Sequence, residues 1–260
     1  MKIEFYKYQG TGNDFVILDN RNGQYNGLDT KQVKSICHRK FGIGADGLML
    51  LNLKSGFDFE MKYYNADGHE SSMCGNGGRC LVKFAAFKGI HRTMYRFTAV
   101  DGTHEAEIES DGEVSLKMAD VDKVSEHGTY SILNTGSPHF VKFATDIMNV
   151  DVVETGREIR YSKEFAKEGI NVNFVERQGE DSIYVRTYER GVEDETMSCG
   201  TGVTAAALVN AHNEFGFNTV EVITPGGKLS VEFEKADDQH YNNIWLCGPA
   251  DFVFSGEIEI

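Results

Sequence analysis

Basic residues are in short supply: 26 lysines and arginines face 40 aspartates and glutamates in 260 residues, a formal net charge of -14. Nucleic acid and anionic membranes need a basic surface on their partner, so both are set aside and a small molecule is the expected partner. Prolines number only three (Pro138, Pro225 and Pro249), and no low-complexity linker interrupts the chain. No apolar run approaches the ~20 residues of a membrane helix, and Met1 to Lys7 has no apolar stretch of signal-peptide length. A cytoplasmic protein is the expectation. The five cysteines (Cys37, Cys74, Cys80, Cys199, Cys247) are too scattered for a disulfide framework. There is no Cys-x-x-Cys and no histidine cluster at ligand spacing, so no metal site is expected.

What the chain does have is a duplication. Glu70-Ser71-Ser72-Met73-Cys74-Gly75-Asn76-Gly77 returns as Glu195-Thr196-Met197-Ser198-Cys199-Gly200-Thr201-Gly202. Each copy sets a cysteine, four residues after a glutamate, before a glycine-rich turn that opens a run of helix formers. Repetition of this kind points to a folded unit present twice. A thiol at a helix start sits beside backbone N–H groups that favour its anionic, reactive form.

The hydrophobic pattern supports two halves with one plan. In the first, strands are expected at Ile3–Tyr8, Phe15–Leu18, Leu48–Leu53 and Phe57–Tyr64, a helix at Lys31–Phe41, and a buried helix at Arg79–Lys88 ended by Gly89. Short strands follow near Tyr95–Ala99, His104–Ile108 and Val114–Met118. From about Asp120 the order restarts, with strands at Ile132–Leu133, Phe140–Phe143, Asn171–Glu176 and Ser182–Tyr188 before the second motif. A helix Val203–Phe215 ended by Gly216 comes next, then strands near Thr219–Ile223, Lys228–Glu234, Asn243–Leu246 and Phe252–Phe254. The fold class is α+β: two pseudo-symmetric halves, each a mainly antiparallel sheet around one central helix. Expected boundaries are 1–119, 120–250, and a terminal strand 251–260 that packs on the N-terminal half.

Other chemistries fit less well. Gly42-Ile43-Gly44-Ala45-Asp46-Gly47 matches a dinucleotide fingerprint by letter, but it follows a helix and precedes a strand, the reverse of what that turn demands, so it reads as a tight loop. Cys80 lies six residues after Cys74, about 240° round a helix, and reads as core. Cys37 and Cys247 read as structural. For Cys74 and Cys199 three duties remain open: a nucleophile, a reversible disulfide, or a pair of acid–base groups on opposite faces of a planar carbanion. In the last, one thiolate removes a proton while the other thiol delivers one, which inverts a stereocentre. Backbone N–H groups of Gly75-Asn76 and Gly200-Thr201 would then bind a carboxylate and stabilise the charge that develops on it.

Gly10-Thr11-Gly12-Asn13-Asp14-Phe15, Tyr64-Asn65-Ala66-Asp67-Gly68, Cys74-Gly75-Asn76-Gly77, Glu189-Arg190-Gly191, Cys199-Gly200-Thr201-Gly202 and Thr224-Pro225-Gly226-Gly227 together resemble the diaminopimelate epimerases over essentially the whole chain. The resemblance implies a cofactor-independent isomerase interconverting LL- and meso-2,6-diaminopimelate for lysine and peptidoglycan precursors. It also implies an active site in the cleft between two halves, and a homodimer. Residue by residue, it implies that Cys74 and Cys199 are the acid–base pair and that Asn13, Asn65 and Asn171 hydrogen-bond the substrate. Glu189 and Arg190 would meet its ammonium and carboxylate, an assignment their chemistry supports. His139 corresponds to an assisting position near the reacting centre. Ser137 stands where many members carry Asn, and Gly47 where some carry a polar contact. A proline or hydroxyproline racemase shares the two-cysteine plan but differs around the motifs, and a redox sensor would use the same thiols as a disulfide.

Overall fold

The computed structural model describes residues 1–211 and 215–260, which divide into two compact units. Unit 1 comprises Met1–Leu116 with Gly248–Ile260, and unit 2 comprises Lys117–Cys247. Among the described residues no helix is long and apolar enough to cross a membrane.

In unit 1 the order is β1 (Lys2–Gly10), β2 (Asn13–Asp19), α1 (Thr30–Cys37), β3 (Gly47–Asn52), β4 (Phe59–Asn65), β5 (Glu70–Ser71), α2 (Gly75–Phe87), β6 (Met94–Ala99), β7 (Gly102–Ile108) and β8 (Val114–Lys117). β1 and β2 form a hairpin, β3 runs parallel to β2, and β4 returns antiparallel. β6 then lies parallel to β4, with β7 and β8 antiparallel beyond it. The outer edge of β1 is paired with the strand Asp251–Glu259. The sheet curls around α2, which packs against β1, β2, β3, β4 and β7. Apart from Asn76, Arg79 and Lys83, α2 is apolar or small, and it is buried from Gly75 to Ala85 except at Lys83, as suits a helix enclosed by sheet. α1 is shorter, closed by an Asp29/Gln32 capping box, and buries Val33, Ile36 and Cys37 in a separate cluster with Val16, Leu18, Leu48 and Leu50.

Unit 2 repeats the plan. After β9 (Val124–Glu126) come the hairpin β10 (Ser131–Asn134) and β11 (Pro138–Phe143), α3 (Val152–Arg160), β12 (Asn171–Arg177) parallel to β11, β13 (Ser182–Glu189) antiparallel to it, and short β14 (Asp194–Thr196). α4 (Gly200–Asn210) follows, then β15 (Gly216–Thr224) parallel to β13, with β16 (Gly227–Lys235) and β17 (Tyr241–Gly248) antiparallel beyond. α4 is buried along most of its length, with Ala205, Ala206 and Ala207 fully enclosed, and packs against β10 to β13, β15 and β16. The parallel pairing of a third strand to the second, and of a sixth to the fourth, is identical in both units. The repetition is therefore one of topology as well as of motif.

Several helix ends differ from expectation. α1 stops at Cys37 rather than Phe41, because Gly42 packs on the exposed carbonyls at the helix end: a Cβ there would lie 2.0 Å from Ser35 O. α2 and α4 begin at Gly75 and Gly200, so each glycine-rich stretch is the first helical turn rather than a turn before it, with the cysteine as N-cap. Described α4 ends at Asn210. The expected extension to Phe215 runs through residues 212–214, which lie outside the described residues, and Gly216 opens a strand instead of closing a helix. α3 went unread in the sequence because Gly156 breaks its pattern. That glycine is required by close packing, since a Cβ at 156 would sit 2.4 Å from Tyr188 Cβ.

Candidate active site

Cys74 ends the loop after β5 with an extended backbone (φ -98°, ψ 130°), and its side chain makes no capping bond. Cys199 does the same before α4 (φ -116°, ψ 111°). Side-chain capping is the usual fate of the first helical N–H groups. Without it, each helix start offers N–H groups and the positive end of a buried helix to whatever anion approaches. All five cysteines are thiols rather than disulfides. Burial pushes the Cys37 thiol up to about 12 and the Cys80 thiol higher still, which makes both inert at neutral pH.

Around Cys74, unit 1 assembles a polar and charged setting. Cys74 Sγ donates to Asn13 Oδ1 (3.5 Å), and Asn76 Nδ2 reaches the same oxygen (3.5 Å). Asn13 Nδ2 donates to Asp46 Oδ2 (2.6 Å), and Arg39 bridges Asp46 (2.7 Å) and Asp14 (2.8 Å). Lys7, buried, pairs with Asp14 at 2.6 Å. Burial raises the Asp14 carboxyl, but the bonds from Arg39 and Lys7 outweigh it and hold the carboxyl down at about 2. Arg79 is fully enclosed on α2, where Nη2 donates to Asn76 Oδ1 (3.0 Å) and to Thr11 Oγ1 (3.4 Å). Asn65 stands at the end of β4, exposed, and is paired with Gly47, whose other neighbour is Phe15 on β2. A side chain at 47 would meet the Tyr63 ring at 2.4 Å, so here that position contributes backbone only.

The surroundings of Cys199 are drier. Cys199 Sγ lies 3.5 Å from Thr201 Oγ1, and Thr201 Oγ1 lies 2.9 Å from His139 Nε2. His139, fully buried on β11, is held on its other side by Asn173 Nδ2 at 3.1 Å. Burial, reinforced by the positive charge of Arg190, lowers the His139 pKa to about 3, so the ring is neutral. Asn171 opens β12 opposite His139, and its side chain ties the site's edge together. Nδ2 donates to Ser137 Oγ (2.9 Å), and Oδ1 accepts from Arg190 N (2.9 Å). Arg190 reaches Ser137 Oγ (3.3 Å) and Glu168 O (2.9 Å), and Glu189 ends β13 beside it.

Thus unit 1 gathers Cys74, Asn13, Gly75 and Asn76 at one helix start, with Asn65 at a neighbouring strand end. Unit 2 gathers Cys199, Gly200, Thr201 and His139, with Asn171, Glu189 and Arg190 at adjacent strand ends. Asp46, Arg39, Arg79 and Asn173 were not read from the sequence. Asn173 did leave a signal: with Asn171 it places two amides on one face of a strand whose other face, Val172 and Phe174, packs in the apolar cluster. Among the described residues no group of three or more His, Cys, Asp or Glu side chains is placed to hold a metal.

Comparison with known proteins gives this geometry its context. Residues 5–124 and 131–253 match the family model of diaminopimelate epimerase. A Flavobacterium psychrophilum diaminopimelate epimerase is 48% identical, covering 98% of this chain and 100% of that protein, and one from Aquifex aeolicus is 37% identical over 98% of each. Among solved structures, a Bacillus anthracis phenazine biosynthesis protein of the PhzF family superposes with a TM-score of 0.73 at 15% identity, covering 100% of both chains. A hydroxyproline epimerase from Agrobacterium vitis gives 0.65 at 12% identity, covering 99% of this chain and 92% of that one. These two share the two-halved fold. On the near-full-length sequence matches, the chain belongs to the diaminopimelate epimerase family.

Proposed function

We propose that the chain epimerises one α-carbon of 2,6-diaminopimelate, with Cys74 and Cys199 as the two acid–base groups. The observation that carries this reading is the recurrence of one arrangement: a cysteine N-cap without a side-chain cap, at the start of a buried central helix, at the same topological point of two repeated units. One sulfur as thiolate takes the α-proton, and the other as thiol returns a proton to the opposite face. N–H groups at Gly75-Asn76 and Gly200-Thr201 stabilise the carboxylate as charge moves onto it. Asn13, Asn65 and Asn171 hydrogen-bond the substrate, Glu189 meets an ammonium and Arg190 a carboxylate, and neutral His139 steadies Thr201. The thiol pair supplies both proton roles, so the proposal includes no cofactor or metal.

The reaction belongs to the lysine and peptidoglycan precursor route, in the cytosol, carried out by a homodimer. The reducing environment that keeps thiols free and the acidic overall charge suit that setting. Proton NMR of diaminopimelate in deuterated water tests the reading: deuterium enters one α-carbon without added cofactor, while proline stays unlabelled. Labelling of proline instead, or of neither, overturns it.

A further inference from the structure

The two thiols sit in hydrogen-bond chains of opposite polarity, and the polarity can be read from groups that only donate or only accept. In unit 1 the Asp46 carboxylate only accepts, so the end of the Asn13 amide facing it (2.6 Å) is Nδ2, and Oδ1 faces Cys74. Arg79 only donates, which fixes Asn76 Oδ1 toward it (3.0 Å) and Asn76 Nδ2 toward Asn13 Oδ1. Cys74 therefore meets a lone pair, held from both sides by charged residues. A thiol donates to that oxygen; a thiolate is repelled by it.

In unit 2 the Phe140 carbonyl only accepts, so Asn173 turns Nδ2 toward it (3.0 Å) and toward His139 Nδ1, while Asn173 Oδ1 accepts from Thr187 Oγ1 (2.9 Å). A neutral imidazole has one N–H. With Nδ1 accepting from Asn173, that hydrogen is on Nε2 and is donated to Thr201 Oγ1, which leaves the Thr201 hydroxyl hydrogen for Cys199 Sγ. Every link of this chain passes a donor toward the sulfur.

We propose that the free enzyme rests with Cys199 as thiolate and Cys74 as thiol, and that Asn173 with His139 and Asp46 with Asn13 are the positioning residues that set this order. The proposal rests on the two-thiol reading above and deepens it. From this state the substrate C–H bond breaks as an S–H bond forms on Cys199, and the Cys74 S–H bond breaks as a C–H bond forms on the opposite face. The enzyme is left as Cys74 thiolate and Cys199 thiol, and proton exchange with water restores the resting order.

The formal charges around each sulfur largely cancel, so the hydrogen-bond polarity sets the order. Near Cys74 are Asp46 and Asp14 with Arg39 and Lys7, buried Arg79 and Cys80 on α2, and the Asp101–His104 pair, whose Asp101 accepts from Met73 N (3.4 Å). On the Cys199 side, His139 is neutral with Arg190 acting on it, Glu189 ends β13 next to Arg190, and Glu195 is neutralised by Arg186 (2.6 Å).

Iodoacetamide alkylation of the full chain, followed across pH with the label on Cys74 and Cys199 quantified separately by peptide mass spectrometry, tests the proposal without any variant. The midpoint of each profile reports thiolate formation independently of how accessible the sulfur is. Cys199 is expected to have its midpoint at least about one unit lower, a tenfold difference in thiolate fraction in the lower range. Thr201→Val raises the Cys199 midpoint and leaves that of Cys74 in place, while Thr201→Ser keeps the native profile. Asp46→Asn lowers the Cys74 midpoint. Coincident midpoints in the native protein, a lower one at Cys74, or a Cys199 midpoint indifferent to Thr201→Val overturns the assignment. Deuterium exchange into diaminopimelate on the same preparation separates the two levels: exchange with coincident midpoints removes only the resting order, whereas no exchange removes the two-thiol reading itself.

Discussion

The helix starts of α2 and α4 share a backbone plan and differ in almost everything around it. At the first, a cysteine looks at an amide fixed by a carboxylate, two arginines and a buried lysine–aspartate pair. At the second, a cysteine looks at a hydroxyl backed by a neutral histidine and an amide, with no charge in the hydrogen-bonded line itself. A duplicated fold brings each copy a thiol at an N-cap, which is a property of topology. What each thiol then does is decided by the neighbouring strands, where a Thr-Gly pair between the hairpin strands is followed by Asn13 in one unit and by Ser137 in the other.

The largest expected effect falls on the feature the halves share. Cys74→Ala and Cys199→Ala each reduce epimerisation by about 10²–10⁴-fold or more, the usual worth of a positioned acid or base, and the double variant is little worse than either. Full activity in one single variant, measured as inversion at the α-carbon rather than as proton exchange, would break the equivalence. Next come the paired glycines at the third helical residue. A Cβ on Gly202 would lie 2.4 Å from Asn173 Oδ1, whereas on Gly77 it would lie 3.2 Å from the flexible end of Met49. Gly202→Ala is therefore expected to cost about 1–3 kcal/mol in a urea melt and to disturb the His139 chain, with Gly77→Ala costing under about 1 kcal/mol.

Acid should bring out a further difference between the units. His139 is held neutral when folded, down to about 3. As pH falls below its unfolded value near 6.5 the unfolded chain takes up the proton first, and stability declines toward pH 3. This one group contributes at most about 1.4 kcal/mol per pH unit across that window. Asp14 acts lower: its stabilisation is present above about 3.8 and is lost as pH falls toward 2. Urea midpoints between pH 7 and 4 are expected to fall less in His139→Gln than in the native chain, and an unchanged slope would show that His139 is not the titrating group. The smallest effect belongs to the other cysteine of α2. Cys80→Ala leaves epimerisation near the native rate and costs roughly 1 kcal/mol by thermal melt.

Cys74 and Cys199 were legible because their motif is local and occurs twice, and the strand order was legible because its alternation is local as well. Most of what orients the thiols was not. Asp46 sits in a loop that spells a nucleotide fingerprint, and its partner Arg39 lies beyond the end of α1 in a stretch whose pattern reads as helix. Arg79, fully enclosed, reads in sequence as an ordinary helix cation, since nothing local distinguishes it from an exposed one. Asn173 becomes a relay only when β11 and β12 pair in parallel and place it beside His139, and parallel pairing leaves no trace in a single strand's sequence.

The pairing of β1 with Asp251–Glu259, continued by Ile260 N donating to Met1 O at 3.0 Å, has a consequence for how the molecule is made. During synthesis the first unit waits with one strand missing until the whole of the second has left the ribosome, and closing so long a loop is slow. The second unit, continuous from Lys117 to Cys247, has no such wait. The second unit can thus be complete before the first, and the newborn first unit, with β1 paired to β2 alone, is the stage at which a chaperone would find most to hold.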